Sequence, residues 1–292
     1  MKIGKRAEKI IRILDAAIDM VVLIFFTVII IYGIYTIWDD HVIFQDAGRE
    51  QYQMYRPEED NSPSFSRLQK INPDTVAWLT IYGSPVDYPV MQGRDNKQYM
   101  NQKPDGSCAI SGSLFIDAGN ARDFSQFKTI IYGHHMDRER MFGGLDHFRE
   151  KRYFQDHQYG NLYYQGKNHG LQFFALCQEN AYNLDIYRVG DLTDNEIEDF
   201  KSEVSKCAIR SRSVDIDRSD HVVILSTCAG GVTNNRLFLC AKLTDETYKD
   251  PFRDHGEKRG NIFERLPIWW YIVAAVAVTV TVIFILRRKK NR

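Results

Sequence analysis

The sequence lacks net charge: 38 lysines and arginines stand against 38 aspartates and glutamates, so no basic field draws the chain to nucleic acid. No Cys-x-x-Cys pair and no His-Glu-x-x-His stretch occurs. A metal site would therefore need ligands scattered across the fold, and none is expected. Asp215, Asp217 and Ser219 echo the start of a calcium loop, but Asp220 takes the glycine position and Ser226 the terminal glutamate position, leaving a charged turn. Cysteines are few: five (Cys108, Cys177, Cys207, Cys228, Cys240), odd in number and without close pairs. That excludes a disulfide framework as the organising principle and leaves at least one thiol over. No internal repeat or low-complexity tract divides the chain.

Two long uncharged apolar runs are present, at 20–38 and 268–286, each about long enough to cross a hydrocarbon core. Lys2, Lys5, Arg6, Lys9 and Arg12 precede the first, and Arg287, Arg288, Lys289, Lys290 and Arg292 follow the second. The positive-inside rule places both ends in the cytoplasm. No small-x-small cleavage site follows the first run, which favours an uncleaved anchor over a signal peptide. The expected organisation is a basic cytoplasmic N-terminus (1–19), a transmembrane helix (20–38), a stalk with an N-terminal helix (39–64), an extracytoplasmic domain (65–245), a linker (246–267), a second transmembrane helix (268–286) and a basic cytoplasmic tail (287–292).

Within the extracytoplasmic domain, short apolar runs punctuated by turn residues predict strands at 76–81, 86–91, 112–117, 128–134, 162–165, 171–178, 222–228 and 236–243. A hairpin turn is expected at Tyr82-Gly83-Ser84-Pro85, and a longer polar turn at Gly166-Lys167-Asn168-His169-Gly170. Asp95 is a candidate cap for a short helix through Tyr99 and Met100. The best-defined soluble helix spans 193–208: Ile197, Phe200, Val204 and Cys207 share one face, and Thr193 with Glu196 forms a capping box. Helices between successive strands are mostly absent, which argues against a parallel α/β sheet. The fold class is mostly β, a barrel or sandwich with helical insertions.

The chemistry points to the end of the run Val222-Val223-Ile224-Leu225-Ser226-Thr227-Cys228. A thiol at a strand end facing a fixed cation suits a nucleophile, because the thiolate is the reactive form. The alternative is a small buried hydrophobe. Arg236 opens the next strand; its guanidinium stays charged and carries several donors, which suits an oxyanion or a substrate carbonyl. Of eight histidines, His134 and His135 follow a strand directly. Neighbours on an extended chain point to opposite sides, so one of the pair can serve Cys228.

These residues carry a resemblance to a known family. Ile71-Asn72-Pro73-Asp74-Thr75-Val76-Ala77-Trp78-Leu79, Asp87-Tyr88-Pro89-Val90-Met91-Gln92-Gly93-Arg94-Asp95-Asn96, Gly112-Ser113-Leu114-Phe115-Ile116-Asp117, Ile131-Tyr132-Gly133-His134, Met141-Phe142-Gly143 and Leu225-Ser226-Thr227-Cys228 follow in the order found in sortases. In detail the chain resembles those of class B. The resemblance implies an eight-stranded sortase β-barrel flanked by the two transmembrane helices, with the 193–208 helix as the class B insertion. It implies a cysteine transpeptidase without a cofactor. Cys228 would attack the carbonyl after threonine in an LPxTG- or NPxTx-like sorting signal of an exported protein, and an amine would then resolve the thioester. His134 would be the general acid and base and Arg236 the oxyanion group; Asn96, Met100, Ser226 and Thr227 would line or flank the substrate groove.

Two departures stand out. Gly230 occupies a position where class B relatives can carry an acidic residue. A second C-terminal membrane helix is more usual in sortases that polymerise pilins, which sets a pilin lysine against a peptidoglycan amine as the acceptor. Class B membership favours wall anchoring. A papain-like hydrolase has the opposite order, cysteine before histidine. A membrane-tethered binding module that kept the fold without the chemistry is the non-enzymatic rival.

Overall fold

The computed structural model describes residues 4–228 and 234–253. The expected second membrane helix (268–286), the basic tail and Gly230 lie outside the described residues. The chain separates into two compact units. The described part of the first is the N-terminal portion of α1 (Lys5–Asp46), whose apolar stretch is the one described helix long and apolar enough to cross a membrane.

The second unit begins at Ile43. Its leading edge is pinned by the Tyr88 hydroxyl donating to the Ala47 carbonyl at 3.0 Å and by Arg140 paired with Glu50 at 2.8 Å. In chain order follow α2 (Pro63–Ile71), β1 (Thr75–Ile81), β2 (Asp87–Met91), β3 (Leu114–Ile116), β4 (Lys128–Tyr132), α3 (Lys151–Asp156), β5 (Tyr159–Tyr164), β6 (Lys167–Asn180), α4 (Leu184–Tyr187), α5 (Asp194–Cys207), β7 (Ala208–Ser211), β8 (His221–Cys228) and β9 (Asn235–Thr244).

The strands run in the order β5-β1-β2-β3-β4-β8-β9-β6-β7, and a further pairing of β5 with β6 closes eight of them into a barrel, with β7 attached outside. This is the expected barrel. Two pairs, β2 with β3 and β4 with β8, are parallel. The crossover from β4 to β8 contains α3, β5, β6, the α4–α5 insertion and β7, so that parallel pair needs no dedicated connecting helix.

Alternation along the strands sorts side chains to two faces. Leu79, Leu114, Ile131, Leu162, Phe173, Val223, Leu225, Leu237 and Leu239 fill the interior. Ile130, Val222, Ile224, Phe238 and Cys240 face outward and are covered by Ile186 of α4 and Ile197, Phe200 and Val204 of α5. A β-bulge between Phe173 and Ala175 shifts the register of β6 against β9, which lets Ala175 and Cys177 join the outer layer while Leu176 returns to the interior. The expected capping box of α5 is present, with Thr193 and Glu196 each accepting from the other's backbone.

One expectation needs correction. The polar turn at 166–170 is a two-residue turn at Gln165 and Gly166, both with positive φ (48° and 79°), and Lys167 already opens β6. That geometry matches the twist of the flanking strands, so Asn168, His169 and Gly170 pair with Tyr163, Leu162 and Asn161. Asn168 and His169 are half-buried and Gly170 buried, so their polar composition does not mark a break in the ladder.

Candidate active site

Three strand ends meet at one rim of the barrel. β4 and β8 run parallel with Tyr132 opposite Ser226, and the Gly133 amide donates to the Ser226 carbonyl at 3.1 Å. Two residues beyond each partner stand His134 and Cys228. β9 returns antiparallel from this rim, with Arg236 directly opposite Cys228. His134, Cys228 and Arg236 are therefore brought together on three adjacent strands, although His134 lies far upstream in sequence. The exit from β4 requires glycine: a Cβ on Gly133 would come within 2.5 Å of Leu114 and 2.7 Å of Phe142.

The His134 ring is half-buried, with Nε2 at 2.7 Å from the Met100 carbonyl oxygen. A carbonyl only accepts, so Nε2 carries the proton of this bond and Nδ1 is the nitrogen left for other partners. The same loop closes through the Phe142 amide donating to the His134 carbonyl at 3.0 Å. His135 turns elsewhere: its Nε2 lies 2.6 Å from Asp146 Oδ2. Burial would raise the Asp146 carboxyl, but the hydrogen bonds and charges of His135 and Arg149 outweigh it and hold the group below its ordinary value. The two histidines thus face different partners, as alternation requires.

Arg236 is half-buried, and its guanidinium lies over the Tyr132 ring, 5.6 Å from the centroid. The Tyr132 hydroxyl donates to Asp117 Oδ2 at 3.1 Å. Burial, then the charge and hydrogen bond of Asp117, push this phenol well above its ordinary range, so it stays protonated. Asn96, exposed, donates from Nδ2 to the same Asp117 oxygen at 2.8 Å and accepts from the Ala118 amide at 2.7 Å. Met100, 42% exposed, presents its side chain beside the carbonyl that holds His134. Ser226 and Thr227 are fully buried. Ser226 Oγ meets the Tyr187 hydroxyl at 3.1 Å, whereas Thr227 Oγ1 has no hydrogen-bond partner among the described residues.

Asp117, Tyr132 and Tyr187 were not singled out by sequence reasoning. Asp117 and Tyr132 each belong to a motif quoted above, but what joins them is the antiparallel register of β3 and β4, which sets Phe115 opposite Tyr132. Among the described residues no cluster of three or more His, Cys, Asp or Glu could hold a metal ion, and Cys108, Cys177, Cys207 and Cys240 are free thiols.

No family model matches the chain. Among curated proteins it is similar to sortase B of Staphylococcus aureus, 29% identical over 198 residues that span 66% of this chain and 80% of that protein. It is also similar to sortase B of Listeria monocytogenes, 32% identical over 165 residues, 55% of this chain and 65% of that protein. Among solved structures, sortase B from the type II pilus of Streptococcus pneumoniae superposes with a TM-score of 0.55 at 35% identity, covering 62% of this chain and 99% of that one.

Proposed function

The chain belongs to the class B sortases, membrane-associated cysteine transpeptidases, and on that premise we propose that Cys228, His134 and Arg236 carry out the transfer. The Cys228 thiolate attacks the carbonyl carbon after threonine in an LPxTG- or NPxTx-like signal. Arg236 donates to the oxygen as negative charge develops there. His134, with Nε2 committed to the Met100 carbonyl, protonates the leaving amine through Nδ1, and the C–N bond breaks to give a thioester. An incoming amine then attacks the thioester, loses a proton to His134 and expels the thiolate as the new amide forms. Asn96 and Met100 line the groove; Ser226 and Thr227 shape its wall from behind.

The observation that supports this reading is the register that sets Arg236 opposite Cys228 and brings His134 to the end of the adjoining parallel strand. The acceptor in this reading is a peptidoglycan amine, which joins an exported protein to the cell wall. A second reading, a pilin lysine, draws support from the likeness to the pneumococcal type II pilus sortase. Two membrane passes at 20–38 and 268–286, with both termini cytoplasmic, keep the catalytic unit outside the cell.

Full-length protein in detergent, offered threonine-containing sorting peptides with a wall-peptide amine or a lysine-bearing pilin peptide, should cleave the peptide and form the new amide. No turnover across LPxTG, NPxTx and related peptides would sink the proposal, and the preferred amine decides between the readings. His134→Ala should abolish the thioester seen by mass spectrometry, whereas His135→Ala should only reduce it. The opposite ranking would assign the proton transfer to the wrong ring.

A further inference from the structure

Two aspartates are buried among the described residues outside the membrane helix, Asp87 and Asp117, at 6% and 8% exposure. Asp87 is compensated: Arg56 pairs with it at 2.9 Å, and Trp78 Nε1 and Thr80 Oγ1 donate to it at 2.7 and 2.8 Å. Asp117 has no cation within ion-pair distance among the described residues. Its oxygens accept instead from the Gly119 amide at 2.9 Å, from Asn96 Nδ2 and from the Tyr132 hydroxyl. A buried carboxylate held only by neutral donors is costly to fold around. The two side-chain donors on Asp117 are the residues that lead outward to the groove and to the guanidinium.

Resting on the reading of Arg236 and Asn96 given above, we infer that Asp117 is a positioning residue, a single carboxylate that sets Arg236 through Tyr132 and fixes Asn96 directly. A phenol that donates to a carboxylate gains electron density on its ring, and a more negative ring face holds a guanidinium more firmly. The ring of Tyr132 also packs against Phe115, 5.5 Å between centroids at an interplanar angle of 45°, which limits how its plane can tilt. Arg236 makes no side-chain hydrogen bond to any described residue, and the face of Tyr132 is its one described contact of this kind. Held from below in this way, its N–H groups remain available to an oxygen above. Asn96, with Nδ2 on Asp117 and Oδ1 on the Ala118 amide, is likewise locked. One charge thereby sets the spacing between the groove and the oxyanion donor.

The test is a double-mutant cycle in the full-length protein, joined to a readout that needs no activity. Asp117→Asn should lower kcat with a sorting peptide by about tenfold, with KM changed less than about twofold, and Tyr132→Phe should lower kcat by about threefold. The double variant should be no slower than Asp117→Asn alone, because both changes cut one chain. Independently, the Nε–H resonance of Arg236, displaced by the Tyr132 ring current in the parent, should move toward its free value in Asp117→Asn. Multiplying effects in the double variant, or an unmoved Arg236 resonance, would overturn the inference. Should the parent itself turn over no peptide, the functional reading fails, while the resonance still decides whether Asp117 holds Arg236. Should Asp117→Asn not fold, the resonance in Tyr132→Phe decides the same point.

Discussion

The barrel interior and the layer trapped between the barrel and α5 are both buried, yet they are built differently. The interior is aliphatic and aromatic almost throughout. The outer layer, beside Ile224, Phe238 and Phe200, contains Lys128, whose ammonium donates to the Ile186 carbonyl at 2.6 Å and the Asp185 carbonyl at 3.2 Å and lies 4.6 Å from the Phe200 centroid. It also holds the Tyr187–Ser226 hydrogen bond directly behind the end of β8. The interior supplies cohesion that would suit any barrel of this size. The outer layer supplies polar pins that fix one insertion at one place over the site, and such pins trade stability for position.

The same deletion in the two layers should separate them most clearly. Phe173→Ala empties a closed interior and should cost about 3–5 kcal/mol in urea unfolding. Phe200→Ala should cost roughly half as much, because α5 can settle onto the wall. Equal losses would mean that the outer layer is as rigid a core as the interior.

Lys128 offers a pH test. Burial depresses its ammonium from the ordinary 10.5 to about 8, against the pull of neighbouring negative groups. Between about pH 8 and 10.5 the unfolded chain holds this proton and the folded one does not, so the contribution of Lys128 to stability rises with pH across that window. The cost of burying the charge is carried in full below it. In urea unfolding the parent should gain up to about 3 kcal/mol relative to Lys128→Met over that range, a difference in which the perturbed thiols and phenols common to both cancel. A rise of the same size in Lys128→Met would remove lysine from the account and make the two layers more alike. Smallest of all, Tyr187→Phe and Ser226→Ala should each cost about 1 kcal/mol and together little more than either. Additive losses would show that the hydroxyls do not act as one pin.

Much of this was legible in the sequence because the strands announce themselves by alternation and the turns by glycine and proline. The hairpin at 82–85, the run from Val222 to Cys228 and the capped helix α5 depend on local signals, and the structure has them where those signals fall. The first four residues of β6 were hidden because Gln165-Gly166 makes a turn usually advertised by asparagine or aspartate. Closure of the barrel through β5 and β6 is a matter of long-range pairing, which no window of sequence carries. The site divides in the same way. Cys228, Arg236 and His134 each mark a strand end, and the family resemblance joined them. Asp117, Tyr132 and Asn96 touch only because β3, β4 and the segment after β2 converge, and their side chains give no sign of it in isolation.

Closure of the barrel has a consequence for an enzyme associated with a membrane. Every strand of the ring is paired on both sides, so the one free sheet edge among the described strands belongs to β7, four residues long and carrying Arg210. A protein that handles extended peptides would otherwise offer them, and its own copies, a template for strand addition. Closure leaves such a template only where a ring strand outruns its neighbour, as β2 outruns β3, which it meets at Val90 and Met91 alone. The ring's paired main-chain groups are thereby spent on the fold and withdrawn from strand addition.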